Sequence, residues 1–298
     1  MTKKRMALPA SEAVFRAVVY TLTFLILLIT FYPLYYVVIA SLSSAKYAMA
    51  GEIFLWPKGF TLEGYAELLR DDSILRGYAN TIFYALAGTA VSMVVTTPCA
   101  YALSRPDFKS RRWIMVFFLV TMFFNGGMIP TYLTITRQLG MGSGYLVMIA
   151  PFCLNVFNLI IMRTFFETNL PRELWESAQL DGCTNTNYLL KVALPLSKAV
   201  LSIIMLYYLV GKWNDYFSGL LYLRDEKYLP LQNVLRSILT RNQAMASQLQ
   251  SGTNVEALRK ANLVKYSSIV ASSLPMMILY PFLQKYFEKG VMIGSIKG

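Results

Sequence analysis

Long apolar runs that carry no charge are the feature that most constrains the fold of this chain. The first covers residues 17–42, and no charged residue occurs between Arg16 and Lys46. About 20 mostly apolar residues are enough for a helix to cross the hydrocarbon core of a bilayer. Only 15% of the residues are charged and 56% are hydrophobic, whereas a soluble domain carries about 25% charged residues. The sequence therefore predicts an integral membrane protein.

Further apolar runs predict helices of the same kind. They cover residues 80–103, 113–133, 145–162, 199–223 and 266–284. The expected fold is all-α and polytopic, with six transmembrane helices in a domain at 17–285, a cytoplasmic segment at 1–16 and a cytoplasmic tail at 286–298. We expect the first run to be a retained anchor, because it is too long for a cleaved signal peptide. Pro33 inside it makes a kink plausible.

Basic residues at the ends of the apolar runs predict the orientation. They form three sets: Lys3, Lys4, Arg5 and Arg16; Arg105, Lys109, Arg111 and Arg112; and Lys285, Lys289 and Lys297. With six helices all three sets lie on one side, which the positive-inside rule makes cytoplasmic. The basic loop at 224–265 falls outside, but long loops translocate largely regardless of charge. We therefore attribute the net charge of +12 to membrane topology rather than to nucleic-acid binding.

Residue types that carry enzyme chemistry are absent or scattered. The chain has no histidine, the commonest metal ligand and general base. Cys99, Cys153 and Cys183 lie far apart and signal neither a zinc site nor a disulfide framework. No G-x-x-x-x-G-K-[ST] motif occurs, so we expect no ATP site of the P-loop type. The chain is expected to be no enzyme and to bind no cofactor or metal, so any energy from a nucleotide must arrive through a partner.

A polar segment at about 163–198 separates two apolar runs. Pro171 suits the first turn of a helix, Glu176 lies near its N-terminus, and Gly182 provides a C-terminal stop. Thr184 or Thr186 then caps a second short helix that is expected to end before Pro195. A helix lying on lipid would carry Lys and Arg on its polar face. Because this one begins with glutamates, the sequence favours docking to a protein.

This segment resembles the coupling loop of ATP-binding-cassette importer permeases. The residues are Glu176-Ser177-Ala178-x-x-Asp181-Gly182 and Val192-x-Leu194-Pro195, with Ser177 and Val192 as mild departures. Other motifs resemble the carbohydrate-uptake branch: Asn80-Thr81, Tyr101-Ala102-Leu103-Ser104-Arg105, Trp213-Asn214-Asp215-Tyr216-Phe217 and the tail Lys289-Gly290…Gly294-Ser295-Ile296-Lys297-Gly298. Residues 124–130 and 228–232 are similar to the subgroup that serves oligosaccharides and polysaccharides, including the alginate importer.

The resemblance implies a type I importer permease fold and a set of partners. A second permease would complete a heterodimer, an ATPase dimer in the cytoplasm would bind ATP and Mg, and an extracytoplasmic solute-binding protein would deliver the sugar. The permease loop would act as a coupling helix in a cleft of the ATPase. The contact positions that the resemblance implies are Glu176, Ser177, Ala178, Asp181 and Gly182, and the C-terminal tail would reach between the two ATPases.

Charges inside an apolar run are candidates for a substrate pathway. The fifth run contains Lys212 and Asp215, and a lysine on the pathway would suit an anionic uronic-acid polymer. Residues three apart share a helix face, so the alternative is a pair that neutralises itself. The full set of pathway candidates is Asn125, Tyr207, Lys212, Trp213, Asn214, Asp215 and Tyr216.

Two other classes of protein fit the composition less well. An ion-coupled secondary transporter usually needs intramembrane acids, and Asp215 is the sole acidic residue in the six runs. A membrane-embedded enzyme would need a nucleophile pair, paired acids or a metal cluster, which the runs do not supply. We therefore favour an importer permease, with the secondary transporter as the alternative.

Overall fold

A computed structural model describes the backbone of residues 10–124, 126–248 and 255–295. These ranges are helical with short connections, and they contain an isolated β-bridge between Ser43 and Phe60 but no strand. The chain divides into two compact units, one from Met1–Arg70 with Leu239–Ala271 and the other from Asp71–Ile238 with Ser272–Gly298. The all-α prediction is confirmed for the described residues.

The helices follow one another closely along the chain. In order they are α1 Ala10–Ser41, α2 Ala45–Met49, α3 Glu63–Arg70, α4 Asp72–Ser104, α5 Arg111–Phe123, α6 Met128–Leu133, α7 Tyr145–Ile149, α8 Val156–Asn169, α9 Arg172–Leu180, α10 Asn185–Tyr188, α11 Leu194–Leu196, α12 Lys198–Trp213, α13 Tyr216–Tyr222, α14 Leu231–Gln248 and α15 Val255–Ser295. Thr134–Gln138 and Leu189–Ala193 form π-helical turns, and Glu226–Tyr228 forms a 3₁₀ turn.

Within the described residues, three helices are long and apolar enough to cross a membrane. They contain the segments Val14–Ser41, Asp72–Ser104 and Asn262–Pro281. Two bent pairs, Arg111–Phe123 with Met128–Gln138 at 114° and Asn185–Leu196 with Lys198–Trp213 at 86°, raise the number to five if each pair is one span. The count of six remains a prediction.

The third, fourth and fifth apolar runs are interrupted rather than continuous. The third run breaks before Gly127, whose φ of 90° suits glycine. In the fourth run Phe152 has a φ of 61° between α7 and α8, and in the fifth run α12 ends at Trp213. Hydropathy predicts helices over these runs without locating the breaks, because it registers apolar length but not local backbone conformation.

The first unit contains the long helix α1 and the amphipathic helix α3. Helix α1 continues through Pro33, and most of its apolar side chains are exposed. Thr61 caps the start of α3 through a 3.1 Å bond from the Glu63 backbone N–H. The apolar residues of 61–69 recur at helical spacing, which is the pattern of an amphipathic helix.

The second unit is built around α4, which packs against α8 and α12. Asp71 caps α4 by accepting a 2.9 Å hydrogen bond from the Ser73 N–H. Further along, Thr96 of α4 lies 2.7 Å from the Tyr208 hydroxyl of α12, which also accepts a 3.0 Å bond from the Asn155 N–H. One buried phenol therefore links these three helices.

Two of the motifs on which the resemblance was based meet at the start of α4. Asn80 Nδ2 donates to the carbonyls of Lys227 and Leu229 at 2.9 and 3.0 Å. Thr81 Oγ1 accepts from the Leu231 N–H at 2.8 Å. The Asn80-Thr81 pair therefore holds the turn that precedes α14.

Candidate functional site

The polar segment folds into a helical hairpin of α9 and α10, called the 172–188 hairpin below. Pro171 stands one residue before the first turn of α9, as its N-cap. At the other end Gly182 has a φ of 73°, and the N–H of Cys183 bonds the Ala178 carbonyl at 2.9 Å, which is a Schellman motif. Thr184 Oγ1 accepts from the Asn187 N–H at 3.3 Å and caps α10. The predicted helix, glycine turn and second helix are confirmed.

The end of the second helix differs from the prediction. Helical structure continues through Pro195 to Leu196 instead of ending before the proline. The preceding π-helical turn, Leu189–Ala193, is wider than an α-turn. The wider turn accommodates Pro195, which lacks an N–H and in a regular α-helix would clash with the carbonyl of the preceding turn.

One face of the hairpin is buried against an arginine from the end of α4. The guanidinium carbon of Arg105 lies 3.7 Å from the centroid of the Trp175 ring, and the edge of Tyr188 meets the same ring at 5.0 Å. The Arg105 side chain is only 12% exposed, and its Nε donates to Asp107 at 3.0 Å.

Sequence reasoning had noted Arg105 and Trp175 but not their contact. Arg105 appeared only within a motif and as a basic topology residue, and Trp175 only within the polar segment. Ala178 shares the inward face of α9, where it packs partly buried against the same core.

The opposite face of the hairpin is exposed. Leu180 keeps 90% of its accessible surface, and Ser177, Asp181 and Gly182 are also exposed. The Glu176 carboxylate lies 3.2 Å from Arg172 of the same helix, with both side chains open to solvent. Of the predicted contact positions, Ala178 faces inward, whereas Glu176, Ser177, Asp181 and Gly182 are exposed. The sequence had not singled out Leu180, the most exposed large apolar residue of this face.

A cavity of about 550 Å³ lies beside the buried face of the hairpin. Its lining includes Tyr101, Arg105, Arg111, Glu167 and Trp175. Arg111 lies 3.4 Å from Glu167, so the charges on the wall of the cavity partly balance.

The pathway candidates Lys212 and Asp215 do not pair on one helix face. The Lys212 ammonium donates to the Met148 carbonyl at 2.9 Å, and its methylenes pass close to Gly88. Because α12 ends at Trp213, Asp215 instead caps α13 by accepting from the Ser218 N–H at 3.0 Å. The two side chains therefore form no direct ion pair, and the role of Lys212 in a substrate pathway stays a prediction.

The other candidates occupy different environments. Trp213 is buried, and its indole N–H donates to the Ser272 carbonyl at 3.2 Å. Asn214 is exposed and bonds the Val210 carbonyl at 3.0 Å, while Tyr207 and Tyr216 are 43% and 39% exposed. Asn125 lies outside the described residues. Among the described residues, no group of His, Cys, Asp and Glu side chains is placed to hold a metal.

Membrane-length apolar helices, bent helix pairs and an exposed polar hairpin define the chain as a polytopic membrane protein. The family described as "Binding-protein-dependent transport system inner membrane component" matches residues 73–293. The chain belongs to this family, so it is an importer permease and not a catalytic subunit. Family membership also separates it from ion-coupled secondary transporters.

Individual relatives agree with the family. The chain is 40% identical to Protein LplC of Bacillus subtilis (strain 168), over 91% of this chain and 90% of the relative. It is 36% identical to the polygalacturonan/rhamnogalacturonan transport system permease protein YtcP of the same organism, over 95% and 98%.

A solved structure shows the same fold. It is described as a bacterial ABC transporter involved in the import of the acidic polysaccharide alginate. The TM-score is 0.85 at 33% identity, and the match covers 95% of this chain and 99% of that chain. The fold is therefore that of a type I ABC importer permease, as the sequence had predicted.

Proposed function

We propose that this chain is the permease subunit of an ATP-driven, binding-protein-dependent importer for an acidic oligosaccharide or polysaccharide. Two similar proteins support the substrate class, one named for polygalacturonan and rhamnogalacturonan and one for alginate. Polygalacturonan and alginate are polymers of uronic acids, so each carries a carboxylate on its repeating sugar.

The proposed coupling surface is the exposed face of the 172–188 hairpin. The observation that carries this proposal is the 90% exposure of Leu180 on a helix whose other face is fixed by Trp175. A leucine that protrudes from the exposed face of the hairpin suits a partner surface, because binding there would remove its apolar area from water. Leu180 lies close in sequence to the exposed residues Glu176, Ser177, Asp181 and Gly182. Ala178 packs the inward face of the helix against the core.

The partner of this surface is a dimer of cytoplasmic ATPase chains that bind ATP and Mg. ATP-driven closure of that dimer would move the hairpin, and with it α12, which the chain enters through an 86° bend. A second permease and an extracytoplasmic binding protein complete the importer. Both termini lie in the cytoplasm, and the hairpin faces the same side.

In this proposal the saccharide passes along the fifth apolar segment, at the break between α12 and α13. Tyr207, Asn214 and Tyr216 offer exposed polar or aromatic surface there. Lys212 and Asp215 stabilise the break between α12 and α13 through their hydrogen bonds. Trp213 anchors the end of α12 through its bond to the Ser272 carbonyl. Asn125 remains a candidate from the third run.

The substitution Leu180→Asp tests the coupling surface, with Leu69→Asp as a matched control on α3, where Leu69 is 68% exposed. We expect Leu180→Asp to reduce co-purification of the ATPase and saccharide-stimulated ATP hydrolysis by about tenfold or more, because a charge would enter an apolar contact. The control should retain both. Equal behaviour of the two variants would contradict the assignment of this surface.

A further inference from the structure

An arginine lies over a partly exposed tyrosine ring beside the break in the fifth apolar run. The guanidinium carbon of Arg236 in α14 is 5.0 Å from the centroid of the Tyr216 ring. Arg236 is exposed, and Tyr216 keeps 39% of its accessible surface. The pair therefore presents a flat aromatic surface next to a fork of N–H donors.

The backbone on both sides of this pair is held in place. Asn233, one turn before Arg236 on α14, donates from Nδ2 to the Tyr216 carbonyl at 3.0 Å. Asp215 caps α13 directly before the tyrosine. Because Val234 and Leu235 are buried, the register of α14 is fixed and Arg236 lies on its exposed side. The backbone of both residues is thus fixed at positions from which the two side chains are in contact.

The guanidinium of Arg236 has no acidic partner within the part of the chain that the structure describes. None of the ion pairs there includes it. Lys212, the cation that the sequence suggested, already donates to the Met148 carbonyl. Arg236 is therefore the better-placed cation, and its planar fork matches a carboxylate through two parallel hydrogen bonds.

We propose that Arg236 and Tyr216 form a subsite for one uronate residue of an acidic saccharide. Arg236 binds the carboxylate, and the exposed part of the Tyr216 ring contacts the apolar face of the sugar. This inference rests on the proposed function and deepens it, because it names the residues that would read the acidic group. Sequence reasoning had included Tyr216 but not Arg236.

The test uses the complete importer in proteoliposomes, with the permease pair, the ATPase and the binding protein. The probes are tetragalacturonate and its fully methyl-esterified, neutral form, with uptake of each compared to wild type. Arg236→Gln should lower uptake of the acidic probe about tenfold and leave uptake of the neutral probe within about twofold. Uptake of the acidic probe by Arg236→Lys should lie between that of the wild type and that of Arg236→Gln. Lysine keeps the positive charge but lacks the planar fork of N–H donors. Arg224→Gln, at another exposed arginine, is the control for loss of one positive charge.

Ionic strength gives an independent readout with the acidic probe alone. Salt should weaken uptake by the wild type and by Arg224→Gln more steeply than uptake by Arg236→Gln, because the exposed charge pair is screened. Equal losses for both probes would overturn the subsite, since they would indicate a structural role or a bond to lipid phosphate. Unchanged uptake in Arg236→Gln would also overturn it. If the wild-type importer moves no saccharide, the proposed function itself fails, and the subsite fails with it.

Discussion

The guanidinium of Arg105 stacks on the ring of Trp175 at 3.7 Å and thereby joins the end of α4 to the 172–188 hairpin. Helix α4 packs against α8 and α12, so the hairpin is tied to the centre of the second unit and not only to the helix that follows it. A displacement of the hairpin would therefore reach α4 through this contact, which is supported by the contact between the Tyr188 and Tyr101 rings at 6.2 Å. This gives the proposed coupling a definite structural route.

Replacing Arg105 with lysine should weaken that route without removing its charge. Lysine lacks the planar group that stacks on an indole, and a desolvated cation–π contact contributes about 2 kcal/mol. We expect the number of saccharide molecules imported per ATP hydrolysed to fall several-fold, while ATP hydrolysis continues. Arg112→Lys, at an exposed arginine nearby, is the control. An unchanged transport ratio in the Arg105 variant would rule out this route.

Gly182 and Gly211 should respond to alanine in opposite directions. A Cβ at either position would meet nothing within 4 Å, so backbone conformation decides the outcome. Gly182 has a φ of 73°, which costs a non-glycine residue about 1 kcal/mol. Gly211 lies inside α12, where alanine is favoured over glycine by about 1 kcal/mol. Thermal unfolding of the purified variants should show a lower midpoint for Gly182→Ala and a higher one for Gly211→Ala; the same sign for both would contradict this reasoning.

The adjacent residues Tyr207 and Tyr208 provide a second matched pair. The Tyr208 hydroxyl bonds Thr96 and the Asn155 N–H, and the residue is 6% exposed. Tyr208→Phe leaves two polar groups without this partner and should lower the free energy of unfolding by about 1–3 kcal/mol. Tyr207 is 43% exposed, so Tyr207→Phe should change stability little. Denaturant unfolding in detergent measures both, and equal effects would show that the link between the three helices contributes nothing.

Local features of the hairpin were predictable from the sequence because they depend on neighbouring residues. Gly182 determines the end of α9, and Thr184 begins α10. The contact between Arg105 and Trp175 was not predictable, because single-sequence patterns do not report which distant residues meet. For the same reason, the sequence shows the motifs at Asn80 and Leu231 separately but does not predict that they are in contact.

The interruptions of the apolar runs were missed for a different reason. Hydropathy over residues 145–162 does not register the left-handed conformation of Phe152. The fifth run contains the polar residues Asn214 and Asp215, which the sequence analysis treats as part of a helix. In the structure they mark the end of α12. Asp215 is favourable as an N-cap, and that role would have predicted the start of α13.

The most direct test of the account is a photo-crosslinking residue, p-benzoylphenylalanine, placed at Leu180 in the assembled importer. A matched variant carries the same residue at Leu69, which is 68% exposed on α3. The account predicts that irradiation joins the residue-180 variant to the ATPase and that the residue-69 variant forms no such product. Crosslinks from residue 180 to the extracytoplasmic binding protein, or to lipid alone, would contradict the assignment of the hairpin as the coupling surface.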